Sequence, residues 1–441
     1  MTKLPRVLTL YGLTMVAVGS CIGSGIFLTP SQVASHVMDP VLVLGAWTLG
    51  GVVALTGALS FAELGAMFPN AGGVYVYLRE AYGPLAGFLY GWAYFTVINS
   101  GSIAALTIAF AYYVSFLIPL SETGQIALAI GAVVTITVVN VFRVKVAEYF
   151  TNALTGLKLA GIGVVVLIGL FMGTSGIELD YSGAKSLLTN DGLGAFGLAM
   201  VGVLFSYGGW QHASYLSGEA VDPQRTIPRA MIFGALIVTA AYLLINVAYM
   251  MLLPVAGMAA STRVAADAVG TVLPWGGRLV AVLIAVSTFG TSLIYMLSAP
   301  RIYFAMADDG LFFRKLAEVH PEFRTPVYAV VTQSVWAVAL ILFWGTFEKV
   351  ITYVTFTDWI FFTATACIVI LFRFRRPSVE RPYRTFGYPL TPLIFILISG
   401  WFVINTLIRQ PDQAGAGLAF LALGYPVFLL FRRRLDKAST I

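Results

Sequence analysis

The feature that most constrains this chain is a succession of about twelve apolar stretches, each near the ~20 residues that a membrane-crossing helix needs. They lie near residues 9–33, 41–66, 84–117, 125–142, 150–173, 193–217, 229–253, 279–306, 327–345, 351–373, 389–408 and 414–431. Backbone in hydrocarbon must satisfy its own polar groups, so spanning structures are helices or closed barrels, and stretches of this length select helices. Composition agrees. Of 441 residues 59% are hydrophobic and 10% charged, against roughly 25% charged in a soluble domain, and the mean hydropathy is +0.88. A soluble enzyme, a nucleic-acid binder and a disordered chain are excluded on that ground. Cys21 and Cys367 both sit inside apolar stretches and give no disulfide scaffold. His36, His212 and His320 are scattered and show no metal-ligand spacing. The first stretch is too long and too glycine-rich for a cleaved signal peptide. The longest connections, about 174–192 and 307–326, leave no room for a separate soluble domain.

The basic residues give an orientation. With the N-terminus in the cytoplasm, the inner segments hold 20 of the 26 lysines and arginines and the outer segments 5, with Lys158 inside a span. An odd number of crossings would scramble this split. The expectation is therefore an even number, with both termini cytoplasmic, and the formal charge of +6 reads as a topology signal.

Two spans are interrupted. In the first, Gly19, Ser20, Gly23, Ser24 and Gly25 crowd the middle, although glycine costs about 1 kcal/mol in a helix interior. Close packing accounts for Gly19 and Gly23 as a small-xxx-small face but does not require the Gly-Ser-Gly triplet. The sixth span breaks at Tyr207-Gly208-Gly209-Trp210. Spans one and six are five apart, so they occupy matching places if the first ten helices form two five-helix halves. Paired interruptions of that kind point to a transporter's central site. Unwound backbone at this depth must face a cavity or a ligand. The N-terminal end of a half-helix offers free amides and partial positive charge to a carboxylate, and freed carbonyls suit an ammonium. One site of this kind reads a zwitterion, and an α-amino acid is the natural match.

At these residues the chain resembles the amino acid–polyamine–organocation superfamily, most of all its L-type amino acid transporters and their bacterial relatives. The stretches that carry the resemblance are GSCIGSGIF (19–27), SFAELGAMFPNAGGVYVYL (60–78), LFSYGGWQ (204–211), SAPRIYFAMADDGLF (298–312) and RPYRTFGYP (381–389). The resemblance implies an all-α membrane protein of twelve transmembrane helices with a LeuT-like fold. The first inverted repeat (helices 1–5) would occupy 1–173 and the second (helices 6–10) 174–373, with helices 11–12 and a cytoplasmic tail in 374–441. It also implies that the amides of Gly23, Ser24 and Gly25 hold a substrate carboxylate, that main-chain oxygens near Cys21, Phe205 and Gly208 meet its amino group, and that Phe205 is an aromatic lid. The candidate substrate site thus comprises Cys21, Ile22, Gly23, Ser24, Gly25, Phe205, Ser206, Gly208 and Trp210. For Phe205 and Trp210, ordinary packing in a chain that is 14% aromatic is the competing reading.

Lys158 lies eight residues past Phe150, about 12 Å along a helix, where a charge costs at least about 2.5–3.5 kcal/mol. It either snorkels toward the headgroups or is a fixed cation among helix carbonyls near the first break. By resemblance, sodium-driven members of this fold place Na⁺ there and L-type relatives carry a lysine, so Lys158 stands in for the ion. Ser287 and Thr291 share a helix face and either turn oxygens toward Lys158 or bond their own backbone. Leu293-Ile294 departs from the Asn-Gly often found in relatives and leaves side-chain specificity open. Glu63, Glu219 and Asp222 are expected to pair with arginines at the cytoplasmic gate, His212 to line the pore or pack, and Asp358 to be solvated near the outer interface, with proton coupling as the other reading.

These expectations converge on a secondary transporter for neutral L-amino acids, sodium-independent and working by exchange, with a proton-coupled symporter of the same fold as the alternative. A membrane-embedded enzyme would need a nucleophile with partners or a metal site, and a channel a repeated filter loop; the sequence shows neither. No cofactor and no nucleic acid are implied. The expected partners are an amino acid and the lipid bilayer. No obligate protein partner is implied, because no cysteine falls in an outer loop where eukaryotic L-type relatives bond their heavy chain. Short termini fit a bacterial inner membrane.

Overall fold

A computed structural model describes residues 4–175, 185, 187, 189–343 and 347–438, with the side chains of 347–353 and 434–438 outside the description. Most of the connection 174–192, the whole of Lys3, and the side chains of Lys349, Arg434 and Lys437 thus lie outside the described residues. The helices are α1 Leu10–Cys21, α2 Gly25–Val37, α3 Pro40–Met67, α4 Val74–Tyr82, α5 Pro84–Ala93, α6 Asn99–Leu117, α7 Glu122–Val141, α8 Val144–Met172, α9 Asn190–Tyr207, α10 His212–Tyr215, α11 Pro223–Leu252, α12 Val255–Ala260, α13 Val264–Gly270, α14 Gly276–Ser298, α15 Pro300–Asp308, α16 Val327–Phe343, α17 Phe347–Arg375, α18 Leu390–Arg409 and α19 Pro411–Ala438. A π-turn, Tyr94–Ile98, joins α5 to α6. Among the described residues there is no strand, only an isolated bridge between Leu8 and Ala220.

Ten helical segments among the described residues are long and apolar enough to cross a membrane. The seventeen-residue α16 is apolar but shorter. Several helices start where a small polar side chain takes an orphan amide. Asp39 accepts from Leu42 N at 2.8 Å, Ser121 from Gly124 N at 3.1 Å and Thr189 from Gly192 N at 3.0 Å. Phe171, Val335 and Leu397 stand exposed on the outer surface, as lipid allows, and the buried faces carry serine, threonine and glycine among their apolar residues. Small residues there let helices approach closely.

Packing follows a regular order. α2 lies against α9, α3 against α11, α6 against α14 and α7 against α16. In the numbering of the apolar stretches these are spans one and six, two and seven, three and eight, and four and nine.

Buried ion pairs tie one end of the bundle. Arg301 donates to both oxygens of Glu219 at 2.8 and 2.9 Å, with neither side chain exposed. The Glu219 carbonyl receives the amides of Val7 and Leu8 at 2.8 and 2.9 Å. Arg373 forks onto Glu63 at 3.1 and 2.7 Å, and Thr385 N adds a third bond at 2.7 Å. Arg79 pairs with Asp309, which also accepts from the Tyr75 hydroxyl at 2.5 Å. The expected pairing of Glu63 and Glu219 with arginines is thus present, while Asp222 makes only an exposed 3.9 Å contact with Arg225. Arg301→Met should lose about 3–5 kcal/mol by leaving a buried carboxylate unpaired, and adding Glu219→Leu should restore most of it. Thermal unfolding of the purified protein checks this, and a double variant no better than the single one contradicts it.

Candidate functional site at the two helix breaks

The first break is chemically divided. α1 ends at Cys21 and α2 begins at Gly25, with Gly23 N folding back onto Cys21 O at 2.9 Å. On the α2 side, no acceptor among the described residues takes the amides of Ser24, Gly25 and Ile26. Ser24 Oγ is buried without a hydrogen-bond partner. On the α1 side, the freed carbonyls are well supplied. Lys158 Nζ donates to Gly19 O at 3.0 Å, Ile22 O at 2.9 Å and Thr291 Oγ1 at 2.6 Å. An ammonium has three protons, and all three are used. Ser287 Oγ lies 3.1 Å from Ile22 O and 3.0 Å from Gly23 O, and Thr291 Oγ1 lies 2.9 and 2.8 Å from Gly19 O and Ile22 O.

Lys158 is only 2% exposed, so its head turns inward and does not snorkel. Ser287 and Thr291 direct their hydroxyls across to α1, whereas their neighbours Thr288 and Ser292 bond their own helix at 2.9 Å. Gly290 makes the room: a Cβ there would stand 3.0 Å from Lys158 Cε.

The second break runs against the first. α9 ends at Tyr207, Gly208 is extended (φ −66°, ψ 137°), and Gly209 has φ +137°. A Cβ on Gly209 would stand 2.6 Å from the Ser20 carbonyl carbon and 2.7 Å from Cys21 N, so the two backbones meet where only glycine fits. The Tyr242 hydroxyl of α11 lies 2.7 Å from Cys21 O and 2.9 Å from Ser206 O, bridging both breaks. Cys21 Sγ reaches Tyr207 O at 3.5 Å, and Ser206 Oγ lies 2.9 Å from Thr29 Oγ1.

Two small cavities adjoin the crossing. One, about 10 Å³, is bounded by Cys21, Gly23, Ser24, Gly25, Ser206 and Thr291 among others. The other, about 30 Å³, is bounded by Tyr94, Gln211, His212, Thr355 and Asp358 among others. Ser102, Phe205, Gly208 and Tyr295 line both. A larger pocket of about 870 Å³ lies elsewhere, lined by residues such as Arg6, Arg79 and Asp309, and touches neither break.

Of the expected site residues, Cys21, Gly23, Ser24, Gly25, Phe205, Ser206 and Gly208 are brought together around these cavities. Ile22 buries its side chain and contributes its carbonyl to Lys158. Trp210, for which substrate contact and ordinary packing were both open, lines neither cavity and packs on Phe61 and Phe362, at 5.0 and 6.1 Å between ring centroids. A bulky ring beside a break finds its apolar partners on α3 and α17. Asp358 departs from expectation, since it lies in the wall of the larger of the two cavities and not at a solvated interface. His212 is held by Ser298 Oγ at 2.5 Å and Tyr94 OH at 3.0 Å and stacks on Tyr295. The sequence reading did not pick out Tyr242, Tyr295 or Gly290, whose roles depend on which helices meet. Nothing in the residues around Tyr94 marks the π-turn that it opens.

The family described as "Amino acid permease" matches residues 8–430. The chain belongs to this family. Among known proteins, this permease is 33% identical over 434 residues to the "Serine/threonine exchanger SteT" of Bacillus subtilis (strain 168), covering 98% of this chain and 97% of that one. It is 31% identical to the human "b(0,+)-type amino acid transporter 1", covering 93% and 84% of the two chains. To the mouse "Large neutral amino acids transporter small subunit 2" it is 30% identical, covering 94% and 79%. The relatives are amino acid transporters, one an exchanger by name. With ten helical segments among the described residues long and apolar enough to cross a membrane, the permease is a multi-pass membrane protein of the amino acid–polyamine–organocation superfamily.

Neighbouring glycines of the second break should differ sharply. Gly208→Ala, whose Cβ would meet nothing closer than 3.4 Å, should fold with near wild-type thermal stability. Gly209→Ala should be strongly destabilised, because both its φ and its contact with Ser20 forbid a side chain. Equal melting temperatures for the two purified variants would contradict the crossing geometry.

Proposed function

We propose that this permease is a sodium-independent exchanger of neutral L-amino acids working by alternating access across a bacterial inner membrane. The observation that carries the proposal is the crossing of the two breaks. Unpaired amides and Ser24 Oγ await an anion on one side, while Phe205 and Gly208 of the second break line both adjoining cavities. In this reading the Gly23-Ser24-Gly25 segment holds the carboxylate, but through the amides of Ser24, Gly25 and Ile26, since the expected Gly23 amide is taken by Cys21 O at 2.9 Å; oxygens near Cys21, Phe205 and Gly208 receive the ammonium, and Phe205 closes over the substrate. A neutral amino acid carries both required charges on its own. The cavities are small, so loading requires the surrounding helices to part.

The pairing of spans one with six, two with seven, three with eight and four with nine supports a LeuT-like organisation. The twelve-helix reading places the repeats at 1–173 and 174–373 with two further helices beyond, and both termini in the cytoplasm. Packing of equivalent helices against one another is what a pseudo-two-fold axis between the halves would produce.

Exchange, rather than ion-coupled uptake, follows from Lys158. Its three protons are all engaged by α1 and Thr291, with Ser287 beside it. A resident ammonium thus occupies the place of a transported cation, and an empty carrier reorients poorly. No obligate partner is part of this reading: Cys21 is buried and Cys367 half-buried. The name of the mouse relative calls that protein a small subunit.

Counterflow of radiolabelled amino acids into proteoliposomes holding this chain alone tests all of this. Uptake should require internal amino acid and be unchanged when sodium is replaced by potassium. Uphill uptake into amino-acid-free vesicles driven by a pH gradient would overturn exchange in favour of proton coupling. Lys158→Ala should lose nearly all flux, since it removes the resident ammonium from the carbonyl end of α1, and wild-type flux in that variant would overturn the role given to Lys158.

A further inference from the structure

The two cavities at the breaks share a property. Among the described residues, each has one buried side-chain oxygen in its wall without a hydrogen-bond partner: Ser24 Oγ in the smaller and Asp358 Oδ1 in the larger. Several polar atoms of the same wall hold other bonds. His212 is bonded through both ring nitrogens, Ser102 Oγ donates to Ile98 O at 2.6 Å, and Gln211 Oε1 accepts Gly209 N at 2.9 Å. Among the described residues no lysine or arginine lines this cavity. A carboxyl oxygen that carries no proton is an acceptor only, and burying one without a donor is costly. An entering group that donates to Asp358 Oδ1 is therefore favoured over one of the same size that cannot.

We infer that Asp358 makes this cavity a side-chain subsite selecting amino acids whose short side chain ends in a hydrogen-bond donor. The inference rests on the proposed substrate site. With the α-carboxylate at the amides of residues 24–26, the substrate's side chain extends past Phe205 and Gly208, which line both cavities, into the space before Asp358. Its small volume in this state, about 30 Å³, makes short side chains the ones to test first. A hydroxyl or an amine donates to Asp358 Oδ1. A methyl in the same place leaves that oxygen buried and unpaired, and a site built to bond a substrate hydroxyl discriminates strongly against the analogue lacking it.

The test measures apparent affinity by competition counterflow for three pairs matched in size: threonine against valine, serine against alanine, and 2,4-diaminobutyrate against norvaline. In the wild type the donor-bearing member of the first two pairs, the third, or all three should be preferred at least about tenfold. The first two report a neutral hydroxyl and the third an ammonium. Either outcome sustains the inference, and a preference confined to the third replaces the neutral reading of the substrate. In Asp358→Leu the preference should fall below about threefold while valine and alanine are still exchanged, which shows that the variant is folded. Asp358→Asn should keep an intermediate preference. Equal wild-type affinities within every pair, or a preference unchanged in Asp358→Leu, would overturn the inference. So would parallel loss of both members of each pair, the behaviour of a carboxylate that only carries a proton or supports the fold. If the wild type exchanged no amino acid at all, the proposed function would fail and not this inference alone.

Discussion

A helix broken inside hydrocarbon leaves main-chain groups that lipid cannot bond, each costing several kcal/mol, and the centre of this protein is organised by how those groups are met. At the end of α1 they are met by protein: the Lys158 ammonium, Thr291 and Ser287 supply the carbonyls of Gly19, Ile22 and Gly23. A cation beside the negative end of a half-helix is also favoured by the helix dipole. At the start of α2 the amides of Ser24, Gly25 and Ile26 are not met by protein. The same break is therefore sealed on one side and open on the other, and the open side faces a cavity.

Fixing two breaks against each other needs more than two glycine clusters. Gly209 lets the second break approach Ser20 and Cys21 within contact distance. The Tyr242 hydroxyl bridges Cys21 O and Ser206 O, so α11 holds both. Tyr295 adds a longer contact, 3.4 Å, to Ser20 O and stacks on His212. The buried Glu219–Arg301 pair lies on the stretch just past α10 and on α15, and the Glu219 carbonyl also holds the segment before α1. Both broken elements are thus joined again beyond the breaks, an arrangement through which movement of one would carry the other.

Much of this was legible in the sequence, and for a physical reason: hydrocarbon imposes length and apolarity on every span, so exceptions stand out. Gly-Ser-Gly in one span, Gly-Gly five spans later and Lys158 in a third were each visible as residues that lipid disfavours, and the structure places them together. Ser287 and Thr291 were legible as one helix face, though not as donors to α1. Residues that behave normally in a span were invisible. Tyr242 is an ordinary interfacial or packing residue until α11 lies beside α1 and α9, and Gly290 resembles any small packing residue until Lys158 lies over it. Trp210 could be read either way, because adjacency to a break in sequence does not set which way a ring turns. Asp358 was assigned to the membrane interface from its depth along a linear span. Depth says nothing about which side of the helix faces the other breaks.

The central claim is that main-chain groups at the two breaks bind both charged ends of one small zwitterion. Binding of a transported amino acid, of its methyl ester and of its N-acetyl derivative to the purified protein, followed by ligand-induced thermal stabilisation, tests that claim most directly. The account predicts stabilisation by the free amino acid and at least about tenfold weaker binding for each derivative, since each removes a charged partner of the exposed backbone. Stabilisation by the ester or the N-acetyl compound equal to that of the free amino acid would contradict it.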